Sequence, residues 1–463
     1  MIDNGFQPDF PAEVQMQLQH LAPEGGQPRD LRQLLWSSID NDTSRDLDQI
    51  EVCEPLDDGA VRLWLGIADV VAFIPKGSAI DRYAAAEATS VYTGVRTFPM
   101  LPEKLSTDLT SLLEGADKLC GVIEMVFSAD ASIQYSSIYP ALVRNCAQLT
   151  YNAVGAWLEG AGPAPAKVAA SAELEKQLRI QDALAQRLRD CRYRHGALNI
   201  DSIETRPVTA NGAIVHLAPV LKNRATELIE DFMIAANSVM ARTLAEKQVS
   251  SIRRVVKTPE RWNRIVELAA RYGETLPAEP DSGALNAFLL KRKATDPMHS
   301  ADLSLSVVKL MGPGEYVLER PGDPREGHFG LAVRDYTHAT APNRRFADLV
   351  TQRIVKALSA AAPYSDEELA AIARNCTLRE DAARKVERVM SKRIAATVLQ
   401  HRIGERFSAI VTGVTPKGTF VRVLNPHAEG RLMRGEAGVD VGDKVDVTLV
   451  GTDVQRGFID FAR

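Results

Sequence analysis

The alternation of apolar and polar positions divides the chain into a strand-rich first part, a helical middle and a strand-rich tail. From about residue 29 to residue 156, β-branched runs such as Val61–Ile67 and Val122–Phe127, with turn signals between them, predict strands. Helical spacing predicts helices further along, over Lys167–Arg194 with Gly196 as a stop, Thr226–Glu246, Pro342–Leu358 and Asp366–Gln400. The pattern therefore indicates an α+β protein.

The tail from Gly404 contains short alternating strands separated by glycine-containing turns, which is typical of a small antiparallel barrel of the OB-fold type. We predict three parts: an N-terminal extension (1–28), a main domain (29–403) and the barrel (404–463). Residues 1–28 include an amphipathic stretch, Ala12–Leu21, which predicts a tail or a helix packed on the main body. Four phenylalanines lie on predicted barrel strands, and we expect at least half of them to be core residues: Phe407, Phe420, Phe458 and Phe461.

Composition indicates an ordinary soluble chain. No apolar run approaches the roughly 20 residues of a membrane helix, no signal peptide is visible, and the five cysteines lack C-x-x-C spacing, so we expect a cytoplasmic monomer without disulfides or structural zinc. The net charge of −5 disfavours a polyanionic partner on average. However, Arg344–Arg406 contains 13 basic and 8 acidic residues, so the basic surplus is local.

The densest chemical signal is a run of four aspartates within nine residues, just before a predicted strand: Asp40, Asp42, Asp46 and Asp48. Carboxylates this close repel each other unless a cation lies between them. A hard divalent cation, Mg²⁺ or alternatively Mn²⁺, prefers such oxygen ligands and can stabilise charge on a phosphoryl group. The alternative is a solvated acidic turn, and a calcium loop is disfavoured because the EF-hand glycine and terminal glutamate are absent.

A basic segment could face this cluster. We expect a loop that closes on Pro342 and leads into a helix, with Arg344 and Arg345 in the first helical turn. Arginines are poorly placed for the dipole at a helix start, so an anion there would relieve the conflict, and either side chain could clamp a phosphate. The alternative is a surface salt bridge from Arg344 to Asp348, worth only about 0.3–0.5 kcal/mol.

With both segments in hand, the chain resembles the ribonuclease II (RNB) family of 3′→5′ exoribonucleases. The matching stretches follow the family order: Arg29–Arg32, Ile39–Asp48, Ile67–Val70, Ser90–Tyr92, Pro99–Ser106, His328–Leu331, Tyr336–Asp348 and Val386–Arg388. The resemblance implies a catalytic domain with a mixed sheet, surrounding helices and a central RNA channel. It further implies processive, magnesium-dependent hydrolysis of single-stranded RNA, bound with its 3′ end in the channel, to nucleoside 5′-monophosphates.

The resemblance also implies roles for particular residues. Asp40, Asp46 and Asp48 would be metal ligands and catalytic residues, and Arg344 would be the catalytic arginine of the T-S-P-I-R motif. Tyr92 would stack on the terminal base, Glu387 would contact RNA, and Arg345 is the further expected RNA-binding residue. Without the family, Tyr92 would be taken for a core strand residue and Glu387 for a solvated helix position.

Three departures from the family pattern bear on activity. Gln49 replaces the usual fourth aspartate, which removes a negative charge and puts a second metal in question; Gln352 replaces a common histidine; and the T-S-P-I-R motif reads Thr340-Ala-Pro-Asn-Arg344. We also expect no leading cold-shock domains, and therefore more tolerance of structured RNA. Two alternatives stay open: a catalytically impaired RNA-binding protein, and an endonuclease or DNA nuclease on the same scaffold.

Overall fold

The computed structural model describes residues 1–24, 26–201, 204–210, 213–416 and 418–463. The strands are Arg29–Asp30 (β1), Trp36–Asp40 (β2), Gln49–Pro55 (β3), Val61–Ala68 (β4), Val91–Tyr92 (β5), Thr97–Phe98 (β6), Asp117–Phe127 (β7), Ile133–Thr150 (β8), Glu204–Ala210 (β9), Ala213–Val220 (β10), Ser251–Val255 (β11), Glu315–Glu319 (β12), Arg406–Thr415 (β13), Gly418–Leu424 (β14), His427–Arg434 (β15), Lys444–Asp453 (β16) and Phe458–Ala462 (β17). The helices are Ala12–Leu18 (α1), Ala79–Glu87 (α2), Tyr151–Leu158 (α3), Ala166–Ala169 (α4), Ala172–Arg194 (α5), Arg224–Glu246 (α6), Trp262–Arg271 (α7), Ser282–Thr295 (α8), Pro297–Met311 (α9), Phe346–Lys356 (α10) and Asp366–Leu399 (α11). The predicted α+β class is confirmed.

The main sheet has the strand order β1-β8-β2-β3-β4-β7 and mixes parallel with antiparallel pairs. The long strand β8 pairs with β2 near one end and with β7 near the other, so the sheet curls back on itself. Both faces are covered: Ile50 and Val52 of β3 pack in one cluster with α10, and Cys53 packs in another with α5 and α6. This alternation follows from the two-residue period of a strand.

Three of the four predicted helices differ from the structure at their start or are divided, and the first two are those over Thr226–Glu246 and Lys167–Arg194. Helix α6 begins at Arg224 because Asn223 caps it, in a capping box with Thr226. The stretch Lys167–Arg194 is divided into α4 and α5 at Ser171, whose hydroxyl accepts from the Leu174 N–H at 3.2 Å. The predicted stop after α5 is confirmed, since Gly196 has a φ of +94°.

The helix predicted over Pro342–Leu358 is wrong at its start. Helix α10 begins at Phe346, and Arg345 precedes it with extended backbone (φ −137°, ψ 123°). The preceding residues bond elsewhere: the Arg344 carbonyl accepts from the Ser90 N–H at 3.0 Å, and the Phe346 N–H donates to the Ala88 carbonyl at 2.9 Å. These long-range bonds hold Arg344 and Arg345 in a loop, not in a first helical turn.

The C-terminal strands form a closed barrel in the order β13-β14-β15-β17-β16, which confirms the predicted barrel, although β15 and β17 pair in parallel and not antiparallel. The expectation for its phenylalanines is also confirmed, because Phe407 and Phe461 are buried with ring centroids 6.3 Å apart. Phe420 is half-buried and Phe458 is 55% exposed. A buried ion pair between Arg422 of β14 and Asp302 of α9 ties the barrel to the main domain.

The N-terminal segment packs on the main domain through the helix α1 and through the irregular residues before it. Val14 of α1 is buried, and the Ile80 N–H donates to the Gln17 amide oxygen at 2.8 Å. Phe6 is buried against Val91 and α11. In the ranges described above, no helix is both long and apolar enough to cross a membrane.

Candidate active site

The aspartate run forms a loop that leaves the sheet at the end of β2 and returns at the start of β3. Asp40 is the last residue of β2, and its Oδ1 accepts from the Asn41 N–H at 2.7 Å and the Ser44 hydroxyl at 2.6 Å. Ser111 pins the far side of the loop, because its hydroxyl donates to the Arg45 carbonyl at 2.7 Å and accepts from the Leu47 N–H at 2.9 Å. Asp46 is thus held between two fixed neighbours.

Asp48 is the most deeply placed of these carboxylates, with only 4% of its surface exposed. Its Oδ1 accepts from the backbone N–H of Asn343 at 3.2 Å and from the side-chain Nδ2 of the same residue at 3.0 Å. Its Oδ2 lies 3.6 Å from Nε of Arg344. The structure therefore brings the aspartate loop and the T-A-P-N-R loop together across 295 residues of sequence.

The carboxylates influence each other electrostatically. Burial raises the pKa of Asp48 to about 7, with repulsion from Asp46 adding to the effect and the Arg344 charge opposing it. Burial also raises the pKa of Asp46, reinforced by Asp40. An extra positive charge near this loop would thus be stabilising.

The prediction that the aspartates bind a metal ion is supported by the type of their ligand atoms, but the side chains do not surround a metal position on all sides. Among the described residues, no three histidine, cysteine, aspartate or glutamate side chains are gathered closely enough to hold a metal ion. Mg²⁺ is commonly held by only one or two carboxylates, with water and substrate phosphate completing its shell, and the all-oxygen donors here fit that kind of site. Gln49 contributes differently, since its amide nitrogen donates to the Ile39 carbonyl at 3.3 Å. The ligand set Asp40, Asp46 and Asp48 stays a prediction.

Arg344 and Arg345 have separate roles in the structure. The Arg344 side chain is 46% exposed. Arg345 instead donates from Nε and Nη2 to the two oxygens of buried Asp348, both at 2.8 Å, and Asp348 also accepts from the Ala341 N–H. The alternative of a surface pair between Arg344 and Asp348 is therefore excluded: the partner of Asp348 is Arg345, and the pair is an internal brace of the loop. RNA contact by Arg345 stays a prediction.

Tyr92 and Glu387 meet beside Arg344. Tyr92, in β5, is 43% exposed, so it is not a core residue, and its backbone N–H donates to Oε1 of Glu387 on α11 at 2.9 Å. The alternative interpretation of Glu387 as a solvated helix position does not hold, since its side chain is half-buried and burial raises the pKa of its carboxyl; RNA contact by Glu387 stays a prediction. Together with Ser90, Tyr316 and Arg344, these two residues line a cavity of about 240 Å³.

Two site residues were not singled out from the sequence. Asn343 was noted only as a motif departure, and Thr110 not at all, although Thr110 and Ser111 come soon after the Pro99–Ser106 run. The signal that could have found them is local: a buried loop rich in hydroxyl residues beside a carboxylate motif has to direct its hydrogen bonds somewhere.

Comparison with known proteins adds to this geometry. The family described as RNB domain matches residues 28–361, and the family described as RNase II-type exonuclease C-terminal S1 domain matches residues 405–463. Ribonuclease R of Vibrio cholerae is 30% identical over 91% of this chain and 53% of its own length. The chain spans about half the length of the curated relatives it matches.

Two solved structures show the same fold. Mycoplasma genitalium RNase R in complex with ribose-methylated single-stranded RNA is similar with a TM-score of 0.89 and 22% identity, over 100% of this chain and 76% of that one. Yeast Ssd1, described as a pseudonuclease, is similar with a TM-score of 0.70 and 17% identity, over 94% of this chain and 54% of that one. The fold is therefore shared by proteins with different catalytic descriptions.

Proposed function

Because the chain belongs to the RNB-domain family, we propose that it hydrolyses single-stranded RNA from the 3′ end, with Mg²⁺ as cofactor, and releases nucleoside 5′-monophosphates. The observation that carries this proposal is the 240 Å³ cavity, in which an aromatic ring, an exposed arginine and a carboxylate converge next to the aspartate loop. Its volume approaches the lower end of the range for small-molecule sites, about 300 Å³. It therefore suits one terminal nucleotide better than an internal stretch of RNA.

Each residue then has a physical task. The Tyr92 ring offers a stacking face for the terminal base, and Glu387 fixes the backbone from which that ring projects. Arg344 is free to reach the non-bridging oxygens of the scissile phosphate. Asp40 and Asp46, with Asp48 beside them, are the residues that would hold Mg²⁺, which supplies Lewis-acid stabilisation of phosphoryl charge when bound.

The chemistry defines the products. Water attacks phosphorus and the bond from phosphorus to O3′ of the preceding nucleotide breaks. The shortened RNA keeps a 3′-hydroxyl, and the released nucleotide carries a 5′-phosphate. Oδ2 of Asp48, which lies 3.6 Å from Nε of Arg344, would accept the proton of the attacking water.

A second cavity supports a path for the RNA. It measures about 730 Å³ and is lined by residues of the main domain, including His328, and by His427 of the barrel. The rings of Tyr316, His338, Tyr336 and His328 stand edge to face between the two cavities, with successive centroids 5.5, 5.7 and 5.4 Å apart. Because Tyr316 and Tyr336 are buried, the packed rings form a rigid support between the two cavities, and the residues that line the cavities would contact the strand.

The test is degradation of a 5′-labelled single-stranded RNA with Mg²⁺ and then with a chelator. We expect the full-length RNA to disappear with few intermediates while a short 5′-labelled end product accumulates, and we expect loss of activity in Asp48→Asn but not in Asp42→Asn. Asp42 is the matched control, because it belongs to the same loop but bonds to Asn152. A 2′-deoxy strand and an RNA with a duplex region test sugar selectivity and the predicted tolerance of structure in the same assay.

A catalytically impaired RNA-binding protein is the second candidate. It is favoured by Gln49 and by the lack of a three-carboxylate group among the described residues. Tight RNA binding with no cation-dependent cleavage under any tested divalent metal would select this alternative.

A further inference from the structure

The T-A-P-N-R loop has a polar residue where the family motif has isoleucine. Asn343 is 1% exposed, which makes it one of the most deeply buried polar side chains near the site. Isoleucine only fills space, whereas an asparagine amide has two donors and an acceptor that need partners when buried. The partners of Asn343 therefore show what the amide does.

Both ends of the amide are engaged. Nδ2 donates to Oδ1 of Asp48 at 3.0 Å, and the amide oxygen accepts from the Thr110 hydroxyl at 2.7 Å. The reverse orientation would point a carbonyl oxygen at Asp48, and the ionised form of that carboxyl has no proton to donate to it. The amide thus has one workable orientation, and Thr110 supports it from behind.

The bonds converge on one oxygen of Asp48. The Asn343 backbone N–H also donates to Oδ1, at 3.2 Å, whereas Oδ2 lies 3.6 Å from Nε of Arg344. We propose that Asn343 is a positioning residue that holds Oδ1 of Asp48, so that Oδ2 alone is presented to Arg344 and to the scissile phosphate. This inference rests on the proposed function, which makes Asp48 a catalytic residue.

Loss of the Asn343 amide should have a large effect on activity, because the Asp48 carboxylate can rotate unless hydrogen bonds fix its orientation. Hydrogen bonds to a charged acceptor are stronger than those between neutral groups. Partners that orient catalytic or metal-binding side chains typically change metal affinity or activity by about 10- to 100-fold when removed. Since Gln49 already replaces one acid of the family pattern, the orientation of each remaining carboxylate matters more.

Three variants separate positioning from packing. Asn343→Leu removes the amide and keeps the backbone N–H; Asn343→Asp keeps the size but cannot donate to Asp48 when ionised. Thr110→Val removes the support of the amide, together with the bond of the same hydroxyl to the Leu105 carbonyl at 2.8 Å, without touching Asp48. Thr107→Val is the matched control, because the Thr107 hydroxyl lies on the same turn and, within the described part of the chain, bonds only to the Glu103 carbonyl.

The experiment measures kcat and KM on single-stranded RNA with the full-length protein, and Mn²⁺ binding to the RNA-free protein by electron paramagnetic resonance. We expect kcat to fall about 10- to 100-fold in Asn343→Leu, further in Asn343→Asp, and less in Thr110→Val, with KM nearly unchanged and Mn²⁺ binding weakened. Thr110→Ser should restore the rate, and Thr107→Val should match the wild type.

Equal kcat and equal Mn²⁺ binding in Asn343→Leu and the wild type would overturn the proposal. If Asn343→Leu does not fold, Thr110→Val decides, because wild-type kcat and Mn²⁺ binding in that variant would also overturn it. Failure of the proposed function looks different: the wild type itself then releases no nucleotides. In that case the Mn²⁺ titration still tests whether Asn343 positions Asp48.

Discussion

Substitution of Phe6 by alanine should loosen the terminal-base site although Phe6 touches no predicted catalytic residue. Phe6 is buried in a small cluster with Val91, Ala383 and Val386. Val91 directly precedes Tyr92, and Val386 directly precedes Glu387. The phenyl ring therefore supports both backbones of the contact between Tyr92 and Glu387 from behind.

The magnitude follows from burial. Replacing a buried phenylalanine by alanine typically costs about 3–5 kcal/mol. The Arg379 guanidinium lies 4.6 Å from the ring centroid of Phe6, and losing that cation–π contact is part of the cost, about 0.5–2 kcal/mol. Without the Phe6 ring, residues 1–10 would be held mainly by polar contacts such as the hydrogen bond from the Tyr83 hydroxyl to the Gln7 carbonyl at 2.7 Å. We therefore expect residues 1–10 to detach locally before the protein unfolds globally.

The assay combines limited proteolysis with steady-state kinetics on single-stranded RNA. Phe6→Ala should be cleaved in the N-terminal segment faster than the wild type and should show a KM raised several-fold, while Phe6→Leu should keep most of both properties. Met16→Ala is the control, because Met16 belongs to the same segment but is exposed. Wild-type KM and kcat in Phe6→Ala, together with faster proteolysis, would refute the support role; unchanged proteolysis would refute the stated cost.

Three further outcomes are expected. Asp48→Asn should abolish nucleotide release, by at least about 10²-fold, while RNA binding measured by filter retention stays near the wild-type level; near-normal turnover would contradict the assignment. Asp348→Asn should lower the free energy of unfolding in urea by about 3–5 kcal/mol, because it leaves Arg345 without its buried partner; a change below 1 kcal/mol, a value well under that range, would show a solvated pair. Burial, reinforced by the Arg254 charge, lowers the pKa of His328 to about 4. As the pH is lowered, His328 takes up a proton near pH 6.5 in the unfolded chain but only near pH 4 in the folded protein. The free energy of unfolding should therefore fall by up to about 3 kcal/mol as the pH is lowered from about 6.5 to about 4. His328→Asn should flatten that part of the curve, and an unchanged slope would count against it.

The contrast between α11 and α10 shows where local pattern is sufficient. The predicted start of α11 at Asp366 is confirmed because Ser365 and Glu368 form a capping box, a signal contained within four residues. The start of α10 was misplaced because the backbone before Phe346 bonds to Ala88 and Ser90, some 255 residues away. Periodicity contains no information on such partners.

The helices α7, α8 and α9 were not predicted, and the division at Ser171 was missed. The apolar spacing runs on through Ser171 and so conceals the division between α4 and α5. For α7, α8 and α9, packing of the helices against each other stabilises them. Trp262, Ile265, Leu285 and Phe288 from different helices bury one another in a separate small core. Helix α7 does have regular helical spacing of its buried residues Trp262, Ile265 and Ala269, which the sequence could have shown, whereas the apolar spacing of α8 and α9 is less regular.

By itself, the sequence determined the α+β class, the C-terminal barrel, the aspartate run and the arginine motif, because each depends on residues close together in the chain. Only the tertiary structure decided how these parts act on each other: that Asn343 bonds to Asp48, that Arg345 braces Asp348 while Arg344 stays exposed, and that Tyr92 meets Glu387. The physical reason is that orientation and burial are set by contacts between segments hundreds of residues apart. A charged side chain stabilises the fold or stays accessible to a substrate according to which neighbour the fold brings to it.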